Sequence, residues 1–126
     1  MKKIIFTEKA PAPIGPYSQA ILSGNTLYVS GQIALNPVNG ELINSSIEAQ
    51  THQVMKNLKA VLEATDMDFS NVVKTTIFIT DMNDFAKINT VYGSYFPTDW
   101  APARETVQVS VLPKNVDVEI SVIAVK

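Results

Sequence analysis

The chain has 126 residues, of which 46% are hydrophobic and 17% are charged, and a formal net charge of −2. This length and composition are typical of one globular domain over residues 1–126 and exclude a disordered chain. The chain has no cysteine and one histidine, which excludes disulfides and thiol chemistry and argues against histidine triads and most metal sites. The slight acidity gives no reason to expect a nucleic-acid partner.

The N-terminal residues have no pattern of a signal peptide, because Lys2 and Lys3 are followed by only three apolar residues. No apolar run approaches the roughly 20 residues of a membrane span. We therefore expect a cytoplasmic protein with no membrane partner.

The first third of the chain predicts short strands. Prolines at positions 11, 13 and 16 indicate an extended segment that leads into Tyr17. Residues 17–22 and 27–31 have the character of strands, and the turn between them contains Gly24 and Asn25, which tolerate the positive φ of a hairpin. A second turn is expected at residues 36–40.

A first helix is predicted from about residue 45 to residue 65. Ser45 and Glu48 have the spacing of a capping box, in which the two side chains satisfy free backbone donors. Apolar residues then recur at three- and four-residue spacing and form one stripe. Its members are Ile47, Thr51, Val54, Met55, Leu58, Val61 and Leu62.

A strand and a second helix are predicted next. Residues 72–80 are rich in β-branched side chains, which favour a strand. Asp81 can cap the helix that follows, and Pro97 ends it. The predicted inner face carries Phe85, Ile88, Tyr92, Tyr95 and Phe96, with Asn89 on the same side.

Two strands are predicted at the end of the chain, over residues 104–111 and 116–125. Alternation places Arg104, Thr106 and Gln108 on one face of the first strand and its valines on the other. In the second strand, Glu119 lies on the polar face, opposite an apolar one. The short connection between the strands predicts an antiparallel hairpin.

The order β-β-β-α-β-α-β-β predicts an α+β domain whose helices cover one face of a sheet. Ile33, Leu35, Ile123 and Val125 then need cover on the other face. A partly apolar, uncovered face favours a symmetric homo-oligomer.

Arg104 and Glu119 are the strongest candidates for a binding site. The planar fork of an arginine matches a carboxylate and its charge does not titrate, so Arg104 with a glutamate close by in the fold suggests a site for a small carboxylated molecule. On the pattern alone, pairing of the two residues with each other or with solvent is the simpler interpretation.

Eight short segments form an ordered pattern over essentially the whole chain. They are IGPYSQA (14–20), VSGQI (29–33), QTHQV (50–54), NLKAVL (57–62), VYGSYF (91–96), PAR (102–104), LPK (112–114) and VEI (118–120). In this order they resemble the Rid family of reactive intermediate deaminases, also called YjgF. Several motifs in sequence are far more specific than any one of them.

The resemblance implies a chorismate-mutase-like α+β fold with a six-stranded mixed sheet and two helices on one face. It implies a homotrimer with ligand clefts between neighbouring subunits. It also implies a deaminase without cofactor or metal, which hydrolyses 2-imino acids such as 2-iminobutanoate and 2-iminopropanoate to 2-oxo acids and ammonia.

The resemblance also assigns roles to residues of the site. Arg104 binds the substrate carboxylate, Glu119 holds or activates the attacking water, and the main chain at Thr106 contacts the ligand. Because the implied clefts lie between subunits, Tyr17 and Arg104 that contact one ligand need not belong to the same chain. The residues implied to line the pocket are Tyr17, Ser30, Gly31 and Asn89.

One departure from the family pattern concerns the segment after Arg104. Many members have Ser-Cys where this chain has Glu105-Thr106, which leaves the substrate preference open. Two other functions also stay open: a regulator that binds a 2-oxo acid or amino acid without turnover, and the chaperone or ribonuclease roles of some family members. The retained glutamate favours catalysis, and the acidic pI of about 5.3 argues against a nucleic-acid substrate.

Overall fold

A six-stranded mixed sheet with two helices on one face forms the fold. The computed structural model describes residues 1–97 and 99–126. The strands are β1 (Lys2–Ile5), β2 (Ala20–Ser23), β3 (Thr26–Gln32), β4 (Val72–Ile79), β5 (Ala103–Gln108) and β6 (Val118–Val125). Their order in the sheet is β1-β2-β3-β6-β4-β5, and the predicted α+β class is confirmed.

The predicted hairpin of the last two strands is wrong, because β4 lies between β5 and β6. β4 pairs with β5 in parallel, with Thr75 opposite Arg104, and with β6 antiparallel, with Thr75 opposite Val122. β6 alternates buried and partly buried residues over most of its length, whereas β5 is mostly exposed. The half-polar, exposed strand suits the edge of the sheet and the strand with an apolar face suits its interior.

The helices are α1 (Ile47–Glu63) and α2 (Phe85–Gly93). Ser46 rather than Ser45 caps α1, since its hydroxyl accepts a hydrogen bond from the amide of Ala49 at 3.0 Å. The predicted capping box of Ser45 and Glu48 is therefore wrong, and the N-cap lies one residue later, at Ser46. None of the described helices has the length and apolar character needed to cross a membrane.

The apolar stripe of α1 is confirmed and forms the centre of the core. Val54, Met55, Leu58, Val61 and Leu62 are fully buried between the helix and the sheet. The core therefore lies on the helix-covered face of the sheet, where β6 contributes Val118, Ile120 and Val122.

The second helix differs from its prediction in three details, the first of which is that it ends at Gly93 and not at Pro97. Asp81 caps a short 3₁₀ turn, Met82–Asp84, which leads directly into α2. Ile88, Tyr92 and Phe96 are buried as expected, but Phe85 is 36% exposed. Because the residues directly after Asp81 form this 3₁₀ turn, the α-helix begins at Phe85, later than the cap predicts.

The sheet face without helices has a covered part and an uncovered part. Ile33 and Leu35 are buried there against Leu112 and Val116, so the expectation that they lack cover within the chain is wrong. Further along, four apolar residues lie opposite one another on successive strands, and Ile4 and Tyr28 among them are 64% and 50% exposed. This uncovered row consists of Ile4, Ile21, Tyr28 and Ile123.

Replacing Leu58 by alanine tests the position of the core. Leu58 is fully buried, so Leu58→Ala should lower the free energy of unfolding by about 2–5 kcal/mol through lost burial and the cavity left behind. Lys59→Ala, at the exposed neighbouring position, is the control and should change it by less than about 0.5 kcal/mol. Urea denaturation measures both, and equal losses would contradict the assignment of this face to the core.

Candidate functional site

Arg104 lies on the helix-covered side of the edge strand β5, over two aromatic rings. Its guanidinium carbon is 5.1 Å from the ring centroid of Tyr92 and 5.6 Å from that of Phe85. Its Nη1 donates to Oδ1 of Asn89 at 2.7 Å. These contacts orient the guanidinium, and among the described residues no carboxylate forms an ion pair with it. The guanidinium donors that do not bond to Asn89 can bind an anion.

The support beneath Arg104 comes from β4 and α2. The hydroxyl groups of Tyr92 and Thr75 share a buried hydrogen bond of 2.8 Å, and Thr75 is the residue opposite Arg104 in the parallel ladder. Burial raises the pKa of the Tyr92 hydroxyl, so it stays protonated beside the arginine. The ring beneath the guanidinium is therefore fixed at both ends of its side chain.

Glu119 lies on the opposite face of the sheet, in a cavity of about 60 Å³. Tyr17, Gly31 and Pro113 line this cavity with it, and its apolar wall includes Ile14, Ile33 and Leu35. Burial raises the pKa of the Glu119 carboxyl, because the charged form loses hydration there. No hydrogen bond or ion pair of its carboxylate is present among the residues that the structure describes.

Gly31 allows the carboxylate of Glu119 to lie against bare backbone. A Cβ atom at position 31 would be 2.5 Å from Oε1 of Glu119, closer than real contacts allow. The register between β3 and β6 also shifts between Val29 and Gln32, as expected for a bulge at this glycine. The sequence signal of a close backbone approach at Gly31 is thus explained by a side chain of the same protein.

Tyr17 and Ser30 take positions that strand pattern alone did not give. Tyr17 precedes β2 instead of beginning a strand, and its hydroxyl accepts a hydrogen bond from the amide of Ile14 at 3.3 Å. The hydroxyl of Ser30 donates to the carbonyl of Ser18 at 2.6 Å. Ser30 lines a separate depression that it shares with Tyr17, outside the Glu119 cavity.

Thr106 and His52 complete the set of residues singled out from the sequence. Thr106 lies on the same face of β5 as Arg104, opposite Ile77, and its buried hydroxyl has no hydrogen-bond partner in the described part of the chain. His52 is exposed on α1, as expected, with Nδ1 3.0 Å from the hydroxyl of Tyr95. Among the described residues, no group of three histidine, aspartate or glutamate side chains lies close enough to hold a metal ion.

The structure therefore holds two half-sites that a single chain does not join. Arg104, Asn89 and Thr106 form the arginine half-site on the helix-covered face. Glu119 lies opposite Phe78, and Phe78 lies opposite Val107, so the glutamate shares a face with the valine and not with Arg104. The expectation that Arg104 and Glu119 lie close together is wrong within one chain. Tyr17, Gly31 and Glu119 form the glutamate half-site.

Two residues around the glutamate half-site were missed by the sequence reasoning. Gln19 and Asn57 are 2% and 1% exposed and hydrogen-bond to the wall of the cavity. For Asn57 a signal was available, since a polar amide occurs beside the apolar stripe of α1, where an unpaired polar group would be costly.

Comparison with known proteins decides the family. A family described as endoribonuclease L-PSP matches residues 7–126. The chain belongs to this family. A RutC family protein of Pyrococcus horikoshii is 53% identical over 126 residues, covering 100% of this chain and 99% of that protein.

Another member of the endoribonuclease L-PSP family is named for the activity expected from the sequence. The chloroplastic Reactive Intermediate Deaminase A of Arabidopsis thaliana is 48% identical over 123 residues, which are 98% of this chain and 65% of that protein. The resemblance to the Rid family is thereby confirmed. A crystal structure of E. coli TdcF with bound serine superposes with a TM-score of 0.92 at 43% identity, covering 98% of each chain.

The raised pKa of Glu119 predicts a pH-dependent effect of Glu119→Gln. An acid whose folded-state pKa exceeds its unfolded value lowers stability as pH rises through the two values, and the loss is complete above the folded pKa. Glu119→Gln should therefore gain stability relative to the unmodified protein between about pH 4 and pH 7. Urea midpoints at both pH values measure the gain, with the exposed Glu8→Gln as control. The opposite trend would contradict a raised pKa of Glu119 in the folded protein.

Proposed function

We propose that this protein hydrolyses small 2-imino acids to 2-oxo acids and ammonia, in a site that two copies of the chain form together. The observation that carries the proposal is the pair of incomplete half-sites. Among the described residues, one holds an oriented arginine that forms no ion pair with a carboxylate, and the other holds a glutamate whose carboxylate has no hydrogen bond or ion pair. A 2-imino acid needs both groups, because it has a carboxylate to bind and an imine carbon to be attacked by water.

The uncovered row of Ile4, Ile21, Tyr28 and Ile123 supports assembly of several copies. Exposed apolar residues in contiguous positions favour a protein interface, and closed symmetric assemblies are the usual outcome for identical chains. We propose a homotrimer, as the family resemblance implies, in which Arg104 of one copy faces the Glu119 cavity of its neighbour. The edge position of β5 supports this, since it leaves Arg104 at the border of the molecule.

The proposed reaction uses the two charged residues for different tasks. Arg104 binds the substrate carboxylate and orients the imine, which holds the reacting atoms together and can lower the barrier by several kcal/mol, up to about 7–11 for ideal geometry. Glu119 takes a proton from water while the water oxygen bonds to the imine carbon. The raised pKa makes its carboxylate a stronger base than an exposed one.

The tetrahedral intermediate then collapses without any further reagent. Addition of water to the protonated imine leaves a carbon that carries a hydroxyl and an NH₂ group. Glu119 gives its proton to this nitrogen, the carbon–nitrogen bond breaks and NH₃ leaves. The hydroxyl transfers its proton to the Glu119 carboxylate and becomes the carbonyl of the 2-oxo acid, and Glu119 then releases that proton to solvent. The sum of these steps is one water consumed and one ammonia released for each imine.

The small, mainly apolar cavity supports short uncharged side chains on the substrate. Its volume of about 60 Å³ and its walls of Ile14, Ile33, Leu35 and Pro113 fit a methyl or ethyl group, as in 2-iminopropanoate and 2-iminobutanoate. The family description names an endoribonuclease, but the net charge of −2 does not favour a nucleic-acid substrate. The cytoplasmic location stays an expectation from the sequence.

Mixing two inactive variants tests whether the site is shared. Arg104→Ala and Glu119→Gln should each abolish imine hydrolysis, measured as 2-oxo acid released from imines that an amino-acid dehydratase produces. When the two are unfolded and refolded together, about a quarter of the sites in random trimers combine an intact Arg104 with an intact Glu119. We therefore expect about a quarter of the unmodified specific activity to return.

The double variant Arg104→Ala/Glu119→Gln supplies the matched control. Refolded with Arg104→Ala, it yields trimers without any intact arginine, and no activity should return. Absence of recovery in the first mixture, with mixed trimers verified by mass spectrometry, would contradict a shared site. Full activity of Arg104→Ala alone would remove this arginine from the reaction.

A second measurement separates catalysis from ligand sensing. A regulator needs the arginine but not the glutamate, so catalysis and ligand sensing predict different effects of a substitution at position 119. We expect Glu119→Gln to bind 2-oxobutanoate within about tenfold of the unmodified protein, while kcat falls by about 10²–10⁴. If calorimetry shows that this variant binds 2-oxobutanoate and its rate of hydrolysis is unchanged, the proposed role of Glu119 is contradicted.

A further inference from the structure

The Glu119 cavity has walls that regular secondary structure does not position. Residues 11–17 and residues 33–35 supply most of its lining, and both stretches lie outside the strands and helices. Pro11, Pro13 and Pro16 have no backbone donor, so the first stretch cannot join a strand ladder. Other groups must hold these two walls in place.

The buried side chain of Gln19 holds the first wall. Its Oε1 accepts from the amide of Thr7 at 2.7 Å. Its Nε2 donates to the carbonyls of Thr7 at 3.0 Å and Pro11 at 2.9 Å, and it lies 3.3 Å from the carbonyl of Ala10. One amide thus gathers both ends of the segment that precedes the cavity wall.

Gln19 is in turn anchored to the sheet. Its main-chain carbonyl accepts from the amide of Ser30 at 2.9 Å, and the hydroxyl of Ser30 donates to the neighbouring carbonyl of Ser18 at 2.6 Å. Ser30 belongs to β3 and is adjacent to Gly31, which contacts Glu119. The first wall is therefore fixed relative to the strand that borders the carboxylate.

The buried side chain of Asn57 holds the second wall from α1. Its Nδ2 donates to the carbonyl of Ile33 at 3.1 Å and to that of Leu35 at 2.9 Å. Its Oδ1 accepts from Nε2 of Gln53 at 2.9 Å, so its donors and its acceptor are all in use. The helix thereby fixes the stretch that carries two of the apolar residues facing Glu119.

We propose that Gln19 and Asn57 are positioning residues, which hold the two irregular walls of the Glu119 cavity at the separation that the reaction needs. This inference rests on the proposed imine hydrolysis for its kinetic consequence. Gln19 lines the cavity, but its polar side-chain atoms bond to main-chain groups, and those of Asn57 bond to main-chain groups and to Gln53. Neither amide is therefore available to the substrate. Their effect on the reaction passes through the position of the walls and of the water between them.

The test removes the donors while it keeps the shape of each side chain. Gln19→Glu and Asn57→Asp retain an oxygen but lose the NH₂ group that holds the carbonyls. A wall displaced by about 1 Å can lower the rate by up to about 100-fold, so we expect kcat/KM to fall by roughly 10- to 100-fold in each variant. The matched control is Gln50→Glu on α1, a buried amide that bonds to Asp117 outside this cavity.

A merely structural role would produce a different result. The control should lose thermal stability to a similar degree while kcat/KM stays within about threefold, because its amide holds no wall of the cavity. If the three variants lose kcat/KM in proportion to their loss of stability, the proposal is overturned. Should the charged variants fail to fold, Gln19→Met, Asn57→Leu and Gln50→Met repeat the comparison with apolar side chains of similar size.

Two further measurements extend the test. The first follows the pH dependence of the proposed reaction, and the second does not depend on that reaction. A loosened cavity hydrates Glu119, so the acidic limb of the pH–rate profile should move to lower pH in the Gln19 and Asn57 variants and stay in place in the control. Amide hydrogen exchange should accelerate in residues 12–17 for the Gln19 variant and in residues 33–36 for the Asn57 variant. If the unmodified protein hydrolyses no imine, the proposed function fails. Hydrogen exchange still tests whether Gln19 and Asn57 hold the walls, and unchanged exchange in their variants overturns this positioning role.

Discussion

The alternation of side chains along β6 determines where the core and the glutamate half-site can form. Val118, Ile120 and Val122 face the helices and are almost fully buried, so the residue between the first two must face the other side of the sheet. Because β6 lies between β3 and β4, a shift of one residue would expose this apolar set and also move Glu119 away from Gly31. The stability of the core and the position of the carboxylate therefore depend on the same register.

The same alternation explains why one chain does not complete the site. Arg104 pairs with Thr75 on the helix-covered face, whereas Glu119 pairs with Phe78 on the other. No rotation of a side chain can bring groups together through a sheet, and β4 also separates the two strands. The separation is a property of the backbone, and joining the half-sites requires a second molecule.

The regular elements were predictable because their signals are local. The stripe of α1 and the alternation of β6 follow from periodicity, and the structure confirms them. The neighbours of β5 were not predictable in this way, since a short connection is compatible with a hairpin or with a crossing behind β4. The cap of α1 moved by one residue because two serines, Ser45 and Ser46, stand side by side and only backbone geometry chooses between them.

The site was predictable in its residue types but not in its arrangement. The family resemblance pointed to Arg104, Glu119 and Gly31, while the reason for the glycine became visible only from the distance to the carboxylate. The sequence shows that Asn57 is a polar amide beside an apolar stripe, but neither Asn57 nor Gln19 has a pattern that names its partners, because a buried amide bonds to whichever groups surround it. No local sequence pattern predicts contacts between segments that are distant in sequence.

The environment of Arg104 has a consequence for the energetics of anion binding. A free arginine side chain loses rotamer freedom when it binds a carboxylate, whereas this one is already restrained by Asn89 and by the rings of Tyr92 and Phe85. Much of the ordering has thus taken place during folding. Such a preorganised receptor discriminates by geometry, since an anion that cannot meet the fixed plane of the fork gains little from charge alone.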